Sequence, residues 1–410
     1  MRHPAVTILC ALMLFGGALP AGSQPASPRL TLADALARAR DGSPEGAAAQ
    51  ARVEAAQSAA GKTATMPNPT VEFRSENWAS GVSRSVLPLD AFAEITQIVE
   101  LGGKRDARKG MAAADLGAMQ AHGAVVLQAL AIDISRAYLD ALRFRERQRT
   151  LTAQGADLQE MVRILDRRVA IGTTAELDLL KLRTEEARLS TDLLRTEVAA
   201  QRALVQLTSR ANVEADLDAL ETPPLPALPI PDDEVAIKRR PDVLAAERAV
   251  VSAQQALRLE DARGTPDPAL NAGYKRTGGF NTGLFTVTMP LPLWDRNRVN
   301  RILAQGQVTA AELERSAVER RARGELAATR MAAGRLSERA REVRARLVEP
   351  ARGAREAARA AFASGALDVL RLVDAERVFT DATLVAIEIE IDAVAAAIEA
   401  RLAAGEDPLP

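Results

Sequence analysis

Residues 96–108, Thr-Gln-Ile-Val-Glu-Leu-Gly-Gly-Lys-Arg-Asp-Ala-Arg, decide the fold of this chain because the character of the sequence changes within them. An apolar segment with the pattern of a β-strand ends at Gly102 and Gly103, where glycine permits a tight turn. A cationic and nearly proline-free segment of about 60 residues follows, and it predicts one very long helix. The stretch therefore predicts a strand-to-helix junction.

Residues 288–300, Thr-Met-Pro-Leu-Pro-Leu-Trp-Asp-Arg-Asn-Arg-Val-Asn, make the same change roughly 190 residues further along the chain. A gapless alignment of the two stretches places Gly103 opposite Asp295. In the second stretch, Trp294 and Asp295 therefore take the place of the two glycines before the helix, and the turn-forming residues are Asp295 and Asn297. The sequence uses one junction twice.

The duplication extends beyond the junctions. Residues 67–69, Pro-Asn-Pro, match residues 266–268, Pro-Asp-Pro. A period near 190 residues is too long for a solenoid repeat, so we interpret the chain as two copies of one unit of helices and strands. We predict that the first copy spans residues 24–225 and that the second spans residues 226–410.

Residues 1–23 predict a secretory signal peptide. A short basic start precedes an apolar run at residues 5–19, and the small residues at 21–23 suit cleavage. A run of this length is too short for a comfortable membrane span. The single cysteine, Cys10, lies inside this segment, so we expect no disulfide bond and no thiolate metal site in the mature chain.

Charge and aromatic content narrow the function. The chain has 53 basic and 54 acidic residues, and this mixture of signs argues against nucleic-acid binding. Aromatic residues make up only 3% of the chain, yet most of them lie in the windows 70–101 and 269–294, which we interpret as strands. Rings clustered at the ends of short strands are typical of the girdles of membrane β-proteins. The clustered residues are Phe73, Trp78, Phe92, Tyr274, Phe280, Phe285 and Trp294.

The periodicity predicts the same order of elements in each copy: a short helix, two strands of membrane-spanning length, a very long helix and a returning helix. In the first returning helix, leucine and alanine recur at the spacings of a coiled coil. The proline-rich segment Glu221–Pro231 predicts an extended linker between the copies. The predicted bounds are 32–64 with a break at Pro44, 70–78, 91–99 and 104–168 in the first copy, and 233–262, 269–280, 283–291, 297–363 and a helix ending at Ala403 in the second.

Four strands of this length do not close a barrel, because the smallest closed membrane barrels have about eight strands. An open sheet edge in lipid leaves backbone groups unpaired at a cost of several kcal/mol for each group. The α+β chain must therefore form an oligomer. A dimer would supply about eight strands around a filled lumen, and a trimer would supply about twelve with room for a passage.

These features resemble the TolC family of outer-membrane efflux channels over nearly all of the chain after residue 23. The resemblance rests on the repeated junction, on Arg-Arg-Pro-Asp-Val-Leu-Ala-Ala-Glu at residues 239–247, and on Val-Asp-Ala-Glu-Arg at residues 373–377. Residues 97–105, Gln-Ile-Val-Glu-Leu-Gly-Gly-Lys-Arg, are similar to the heavy-metal efflux branch of that family, the CzcC-like proteins.

The resemblance implies an outer-membrane efflux protein fold. It implies a homotrimer with a barrel of about twelve strands in outer-membrane lipid and a periplasmic α-barrel of long coiled-coil helices. The implied partners are a periplasmic adaptor, or membrane fusion protein, and an inner-membrane resistance-nodulation-division pump. The implied function is export of divalent cations such as cobalt, zinc and cadmium. A multidrug efflux or type I secretion channel of the same fold is one alternative, and a periplasmic structural coiled coil or adaptor protein is another.

The residues themselves indicate no catalytic, cofactor or metal site. No arrangement of a nucleophile with a base and no zinc-protease motif is present, so we expect no enzymatic activity. His122 is the only histidine after residue 23, and a lone histidine does not hold a transition metal. Any selection among metal ions would then belong to the pump.

Two glycines predict the hairpin turns that end the long helices. Gly172 and Gly365 each lie between two helical patterns, where a residue with positive φ is commonly needed. The resemblance implies that both turns lie at the periplasmic end, farthest from the membrane, where an adaptor would dock.

Four charged residues near these turns predict a periplasmic gate. Alignment from the two glycines pairs Asp178 with Arg371 and Lys181 with Asp374, which gives each hairpin an opposite-charge pair on one helical face. An alternative register pairs Asp178 with Asp368 instead. The resemblance implies that charged links between the hairpins narrow the channel here, so we predict a latch. In the competing interpretation these are solvated surface charges, each worth under about 1 kcal/mol.

Overall fold

The computed structural model describes residues 29–76, 90–227 and 232–409. The predicted signal peptide at residues 1–23 lies outside these ranges, as do Trp78 and the last residues of the predicted linker. Two helices, two strands, a long helix and a returning helix follow one another in each half of the chain. The order of elements is therefore the predicted one.

The predicted long helix at 104–168 is one helix of 67 residues. The first half contains α1 (Leu32–Gly42), α2 (Pro44–Lys62), β1 (Thr70–Glu76), β2 (Asp90–Ile98), α3 (Lys104–Ala170) and α4 (Glu176–Ala211). The second half contains α5 (Asp233–Arg239), α6 (Pro241–Arg263), β3 (Ala269–Thr277), β4 (Phe280–Thr288), α7 (Arg298–Val343), α8 (Glu349–Ala363) and α9 (Val369–Ala403).

Prolines divide the short helices of both halves. The predicted break at Pro44 is confirmed, because this residue begins α2 after the cap residue Ser43. The prediction of an unbroken helix over 233–262 is wrong. Arg240 is extended before Pro241 and separates α5 from α6, since the proline ring disfavours a helical conformation in the residue before it.

A second proline effect interrupts the predicted helix 297–363. A π-helical turn at Arg344–Val348 separates α7 from α8, so this helix is not regular throughout. Pro350 lies two residues after the end of the π turn and has no N–H group for the helical ladder. The irregular turn accommodates the proline without ending the rod.

The strands form one antiparallel sheet in the order β1-β2-β3-β4, in which the β2–β3 pair joins the two halves of the chain. The hairpin between β3 and β4 turns at Gly278 and Gly279, with φ of 58° and 84°. Positive φ at both residues is what a two-residue hairpin turn requires. The predicted strands 269–280 and 283–291 are therefore wrong at this turn, because β3 ends at Thr277 and β4 begins at Phe280.

Helix α3 lies at the centre of the helical part, where it packs against α2, α4, α6 and α9. Helix α7 packs against α6 and α9 on the far side. The helices thus lie side by side, with α2 and α4 at one border of the described chain and α7 at the other. Edge strands β1 and β4 border the sheet in the same way.

The largest buried cluster surrounds Tyr138, which is fully buried near the middle of α3. The Tyr138 hydroxyl lies 2.7 Å from the carbonyl oxygen of Leu30 and 2.6 Å from that of Glu221, and it accepts a hydrogen bond of 2.9 Å from the Glu221 N–H. Leu30 also forms a parallel bridge with Leu220. One phenol therefore joins the start of the described chain, the linker and α3.

Replacing Tyr138 by phenylalanine should lower the free energy of unfolding by about 1–3 kcal/mol, because buried backbone groups lose a partner. Burial raises the pKa of the Tyr138 hydroxyl to about 12. An unfolded chain releases this proton near pH 10, so the folded protein loses stability as the pH rises from about 10 to about 12. The variant should lose less stability over this interval in denaturant titrations. The exposed Tyr274→Phe serves as the control, and equal alkaline losses in all three proteins would contradict the assignment.

Candidate functional site

The register of the sheet produces one apolar face. Side chains on this face alternate along each strand with polar ones on the other, and they are largely exposed in the single chain, as Phe73 at 81% illustrates. An exposed apolar face on strands of this length suits contact with lipid. Its two central rows are Val71, Ile95, Ala272 and Phe285, and then Phe73, Ala93, Tyr274 and Gly283.

The opposite face of the sheet is polar. Glu72 lies directly opposite Glu94, and in the neighbouring row the Thr96 hydroxyl donates a hydrogen bond of 2.5 Å to Asn271 Oδ1. Arg74 and Lys275 lie over the ring of Phe92, at 4.6 and 5.1 Å from its centre. This face therefore offers charged and hydrogen-bonding groups to water and ions.

The first junction places α3 directly beneath the sheet. Gly102 and Gly103 have φ of 69° and 73°, and a Cβ atom on Gly102 would lie 2.6 Å from the hydroxyl oxygen of Thr265. The Lys104 Nζ atom lies 2.7 Å from Asp267 Oδ2, and the Leu101 N–H donates a 2.9 Å hydrogen bond to Asp267 Oδ1. Glycine is needed here for both conformation and space.

A second ion pair joins the start of α3 to Glu100, which lies between β2 and α3. Arg108 forms a two-pronged contact with Glu100, in which the Nη2 to Oε2 distance is 2.7 Å. Hydrogen bonding to Arg108 lowers the pKa of Glu100. Arg108 and Arg105 also donate to the backbone carbonyls that follow α2, including Ala64 at 2.7 Å. The junction thus joins segments from both halves of the chain.

The second junction performs the same task with different residues. Asn297 has φ of 63° and precedes α7, as Gly103 precedes α3. Its side-chain amide donates to the carbonyl oxygen of Glu260 at 2.8 Å and to Glu260 Oε2 at 2.7 Å. The Asp295 carboxylate accepts a 3.3 Å hydrogen bond from the Arg298 N–H.

The structural counterpart of Gly103 is therefore Asn297, and the gapless alignment that placed Asp295 there is wrong. The sequence had marked Asn297 as turn-forming together with Asp295, but the alignment did not single it out as the left-handed residue. The signal was present, because asparagine adopts this conformation more readily than other residues with a side chain. Trp294 lies in the same loop and is 90% exposed.

Gly172 and Gly365 both lie in tight turns at the ends of long helices. Their φ values are 75° and 79°. The N–H after each glycine bonds back to a carbonyl of the last helical turn, at 2.9 Å from Thr173 to Arg168 and at 2.8 Å from Ala366 to Ala361. This is the Schellman arrangement, which glycine favours.

The four predicted gate residues lie beside these glycines on the first two turns of α4 and α9, Asp178 and Arg371 on the first and Lys181 and Asp374 on the second. Within the described part of one chain, no salt bridge joins Asp178 to Arg371 or Lys181 to Asp374. The buried side chains between the two hairpins are apolar instead and include Leu179, Leu182, Val369 and Leu372.

An ion cluster around one buried carboxylate lies further along the same hairpins. Glu376 is 1% exposed and contacts the Arg359 guanidinium, which also lies 2.6 Å from Asp157 Oδ2. The cluster joins α9, α8 and α3. The motif at residues 373–377 does not by itself indicate that Glu376 is a buried anion, since a carboxylate on a helix is usually solvated.

Two features are absent from the described ranges. No three His, Cys, Asp or Glu side chains come close enough together there to hold a metal ion. In the same part of the chain, no helix combines the length and the apolar character that crossing a membrane demands.

Comparisons with known proteins agree over most of the chain. The sequence profile described as outer membrane efflux protein matches residues 35–213 and 234–406. Cobalt-zinc-cadmium resistance protein CzcC of Cupriavidus metallidurans is 26% identical over 381 residues, which cover 89% of this chain and 88% of that protein. Nickel and cobalt resistance protein CnrC of the same organism is 25% identical over 318 residues, 76% of each chain.

The fold has a counterpart among solved structures. The crystal structure of a membrane protein from Pseudomonas aeruginosa superposes with a TM-score of 0.79 and 20% sequence identity. The superposition covers 92% of this chain and 90% of that one. The long helical hairpins and the small sheet thus occur together in another membrane protein.

Proposed function

The chain belongs to the outer membrane efflux protein family, and on this basis we propose that it forms the exit channel of a tripartite system that exports divalent heavy-metal cations. A periplasmic adaptor and an inner-membrane resistance-nodulation-division pump would complete the system. The metal cargo is inferred from similarity to resistance proteins for cobalt, zinc, cadmium and nickel over most of the chain. The protein itself resides in the outer membrane.

One structural observation carries the channel assignment: the sheet has an apolar face and a polar face, and it continues directly into the two long helical hairpins. When such sheets close into a barrel, the apolar face contacts lipid and the polar face lines the lumen. The lumen would then lead into the space between the hairpins. Hydrated cations suit such a polar wall.

We propose a homotrimer in which the α7 border of one chain packs against the α2 and α4 border of the next. Both borders expose apolar side chains, and β1 and β4 are edge strands that would pair across the same boundary. Three chains would close a barrel of about twelve strands. The exposed apolar residues are Val299, Ile302, Leu303, Leu313 and Met331 on α7, and Leu177, Leu180, Leu194, Val198 and Val205 on α4.

We also propose that residues 24–225 and 226–410 are two structural repeats. The identical order of elements in the two halves supports this interpretation. So does the family profile, which matches the chain in two segments.

Metal accumulation tests the proposed function. In cells that have a heavy-metal adaptor and pump but lack an outer-membrane component, this chain should lower the cellular content of cobalt, zinc or cadmium. The same cells with an inactive pump provide the control. Complementation of a drug pump instead would contradict the metal cargo, and failure with both pumps would contradict the channel function.

The latch remains a proposal, now between neighbouring chains, because one chain alone does not pair the charges. Arg371→Asp should raise the single-channel conductance in planar bilayers, since it would break a link repeated around the trimer. Adding Asp178→Arg should lower the conductance again. Arg339→Asp, an exposed change far from the turns, is the control. Parental conductance in both gate variants, with trimers intact, would show that these charges are solvated.

A further inference from the structure

The loop at residues 289–297, between β4 and α7, exposes large apolar side chains although its backbone is firmly held. Leu291, Leu293 and Trp294 are 67%, 68% and 90% exposed. Asn297 fixes one end of the loop through its hydrogen bonds to Glu260. Leu291, Leu293 and Trp294 are therefore exposed although the loop is anchored at this end. We refer to residues 289–297 as the second junction loop.

The loop continues the apolar face of the sheet. Phe285 and Val287 belong to that face, and exposed apolar residues follow at Met289, Leu291 and Leu293, although the chain turns tightly between Leu291 and Leu293. Strand pairing ends at Thr288, because the prolines at 290 and 292 have no N–H to donate. The lipid-facing surface thus extends to the level where the sheet gives way to the periplasmic helices, which is the level of the lipid headgroups.

Cationic side chains lie at this level. Arg296 and Arg298 are exposed, and among the described residues neither forms a salt bridge, whereas Arg301 one turn further pairs with Asp261 at 2.6 Å. The carbonyl oxygen of Arg296 would lie 3.1 Å from a Cβ atom on Gly264, so the backbone here packs closely against the end of α6. The Arg296 Nε atom donates to the carbonyl oxygen of Pro292 at 3.4 Å, while the rest of this guanidinium and that of Arg298 remain available beside exposed apolar residues.

The first junction shows that the fold does not need these features. Two of its cations are neutralised within the protein, Lys104 by Asp267 and Arg108 by Glu100. The exposed Arg105 forms no salt bridge among the described residues, but its Nε atom donates to the backbone carbonyl of Ala64 at 2.7 Å. Its turn consists of two glycines, which have no side chain to expose. Within the described chain, only the second junction combines an exposed tryptophan with two exposed arginines that form no salt bridge, and this combination calls for a partner outside the chain.

We propose that the second junction loop binds the phosphate headgroups of anionic phospholipids in the periplasmic leaflet of the outer membrane. Leu291, Leu293 and Trp294 insert among the upper acyl chains, where tryptophan is favoured. Arg296 and Arg298 hold the lipid phosphates, to which the planar guanidinium is well matched. The proposal rests on the outer-membrane location and is independent of the exported cargo.

Fluorescence tests the insertion. The chain has 2 tryptophans, so Trp78→Phe leaves Trp294 as the sole emitter. In proteoliposomes of the full chain, lipids brominated near the headgroup should quench this emission and aqueous acrylamide should not. Quenching by acrylamide alone would place Trp294 in water. Quenching by neither reagent would mean that a neighbouring chain covers it. Either result would overturn the proposal.

Lipid preference tests the arginines. Arg296→Gln with Arg298→Gln should weaken the affinity of the purified trimer for phosphatidylglycerol about 30-fold, since each arginine near an anionic surface contributes about five-fold. Arg335→Gln with Arg339→Gln, on the exposed surface of α7 and also without salt bridges, should leave the affinity unchanged. Equal affinity in both double variants would refute phosphate recognition, while metal export by the same variants reports separately on the channel.

Discussion

Replacing Arg359 by methionine should destabilise the turn-proximal half of the hairpins by about 3–5 kcal/mol, because Glu376 is left buried without its cation. Glu376 is 1% exposed and would keep only the long 3.4 Å hydrogen bond from the Gln154 amide as a side-chain contact, although Arg359 itself is 38% exposed. Arg359 also reaches Asp157 on α3, so the substitution releases α8 and α9 from α3 together. Hydrogen bonding to Glu376 raises the pKa of Arg359, which therefore remains charged at every accessible pH.

Hydrogen exchange measures this effect locally. Amides of α8 and α9 should exchange about 100-fold faster or more in the variant, while those of α6 change little. Adding Glu376→Gln should recover part of the loss, because a neutral amide replaces the uncompensated anion. Arg183→Met is the matched control, since its 2.9 Å pair with Asp166 is half-exposed and worth under about 1 kcal/mol. Similar amide exchange rates in the Arg359→Met and Arg183→Met variants would show that Arg359 does not hold α8 and α9 against α3.

Replacing Asp267 by alanine should cost a similar 3–5 kcal/mol at the opposite end of the helices. The Lys104 side chain is 10% exposed, and its ammonium group lies 2.7 Å from Asp267. The substitution leaves this charge with only the Thr265 carbonyl oxygen, 2.6 Å away. It also removes the acceptor of the Leu101 N–H. We expect the sheet to separate from α3 and the yield of membrane-inserted trimer to fall.

A double-mutant cycle tests the pairing of charges. Lys104→Met combined with Asp267→Ala should be more stable than Asp267→Ala alone, because no unpaired buried cation remains. Asp261→Asn is the control at the second junction, where the pair with Arg301 is about half-exposed. Trimer yield and thermal stability in detergent are the measurements. If the effects of Lys104→Met and Asp267→Ala on stability are additive, Lys104 and Asp267 are not coupled.

Loss of the Lys104–Asp267 pair and loss of the ion cluster around Arg359 should cause different defects. The junction pair lies beside the sheet, so its loss should affect insertion and assembly. The ion cluster lies near the hairpin turns, so its loss should affect conductance in trimers that still assemble. A variant of Arg359 that fails to insert, with normal α6 protection, would contradict this division.

The sequence alone determined the order of elements, the repeated junctions and the glycine turns. Each of these rests on local chemistry: the alternation of apolar residues in strands, the helical period, and the positive φ that glycine tolerates at residues 172 and 365. Such signals need no knowledge of distant contacts. The sequence also identified the family correctly, because each of the motifs at residues 97–105, 239–247 and 373–377 is a continuous stretch of the chain.

Only the tertiary structure decided which residues form the contacts at each site. Asn297 rather than Asp295 matches Gly103, because the conformation of each junction depends on its contacts with the end of α6. The burial of Glu376 results from the packing of α3, α8 and α9 together. It could not be predicted locally, because these three segments are distant from one another in the sequence. The register of the sheet likewise fixed which side chains face lipid, because a slip of one residue would exchange its two faces.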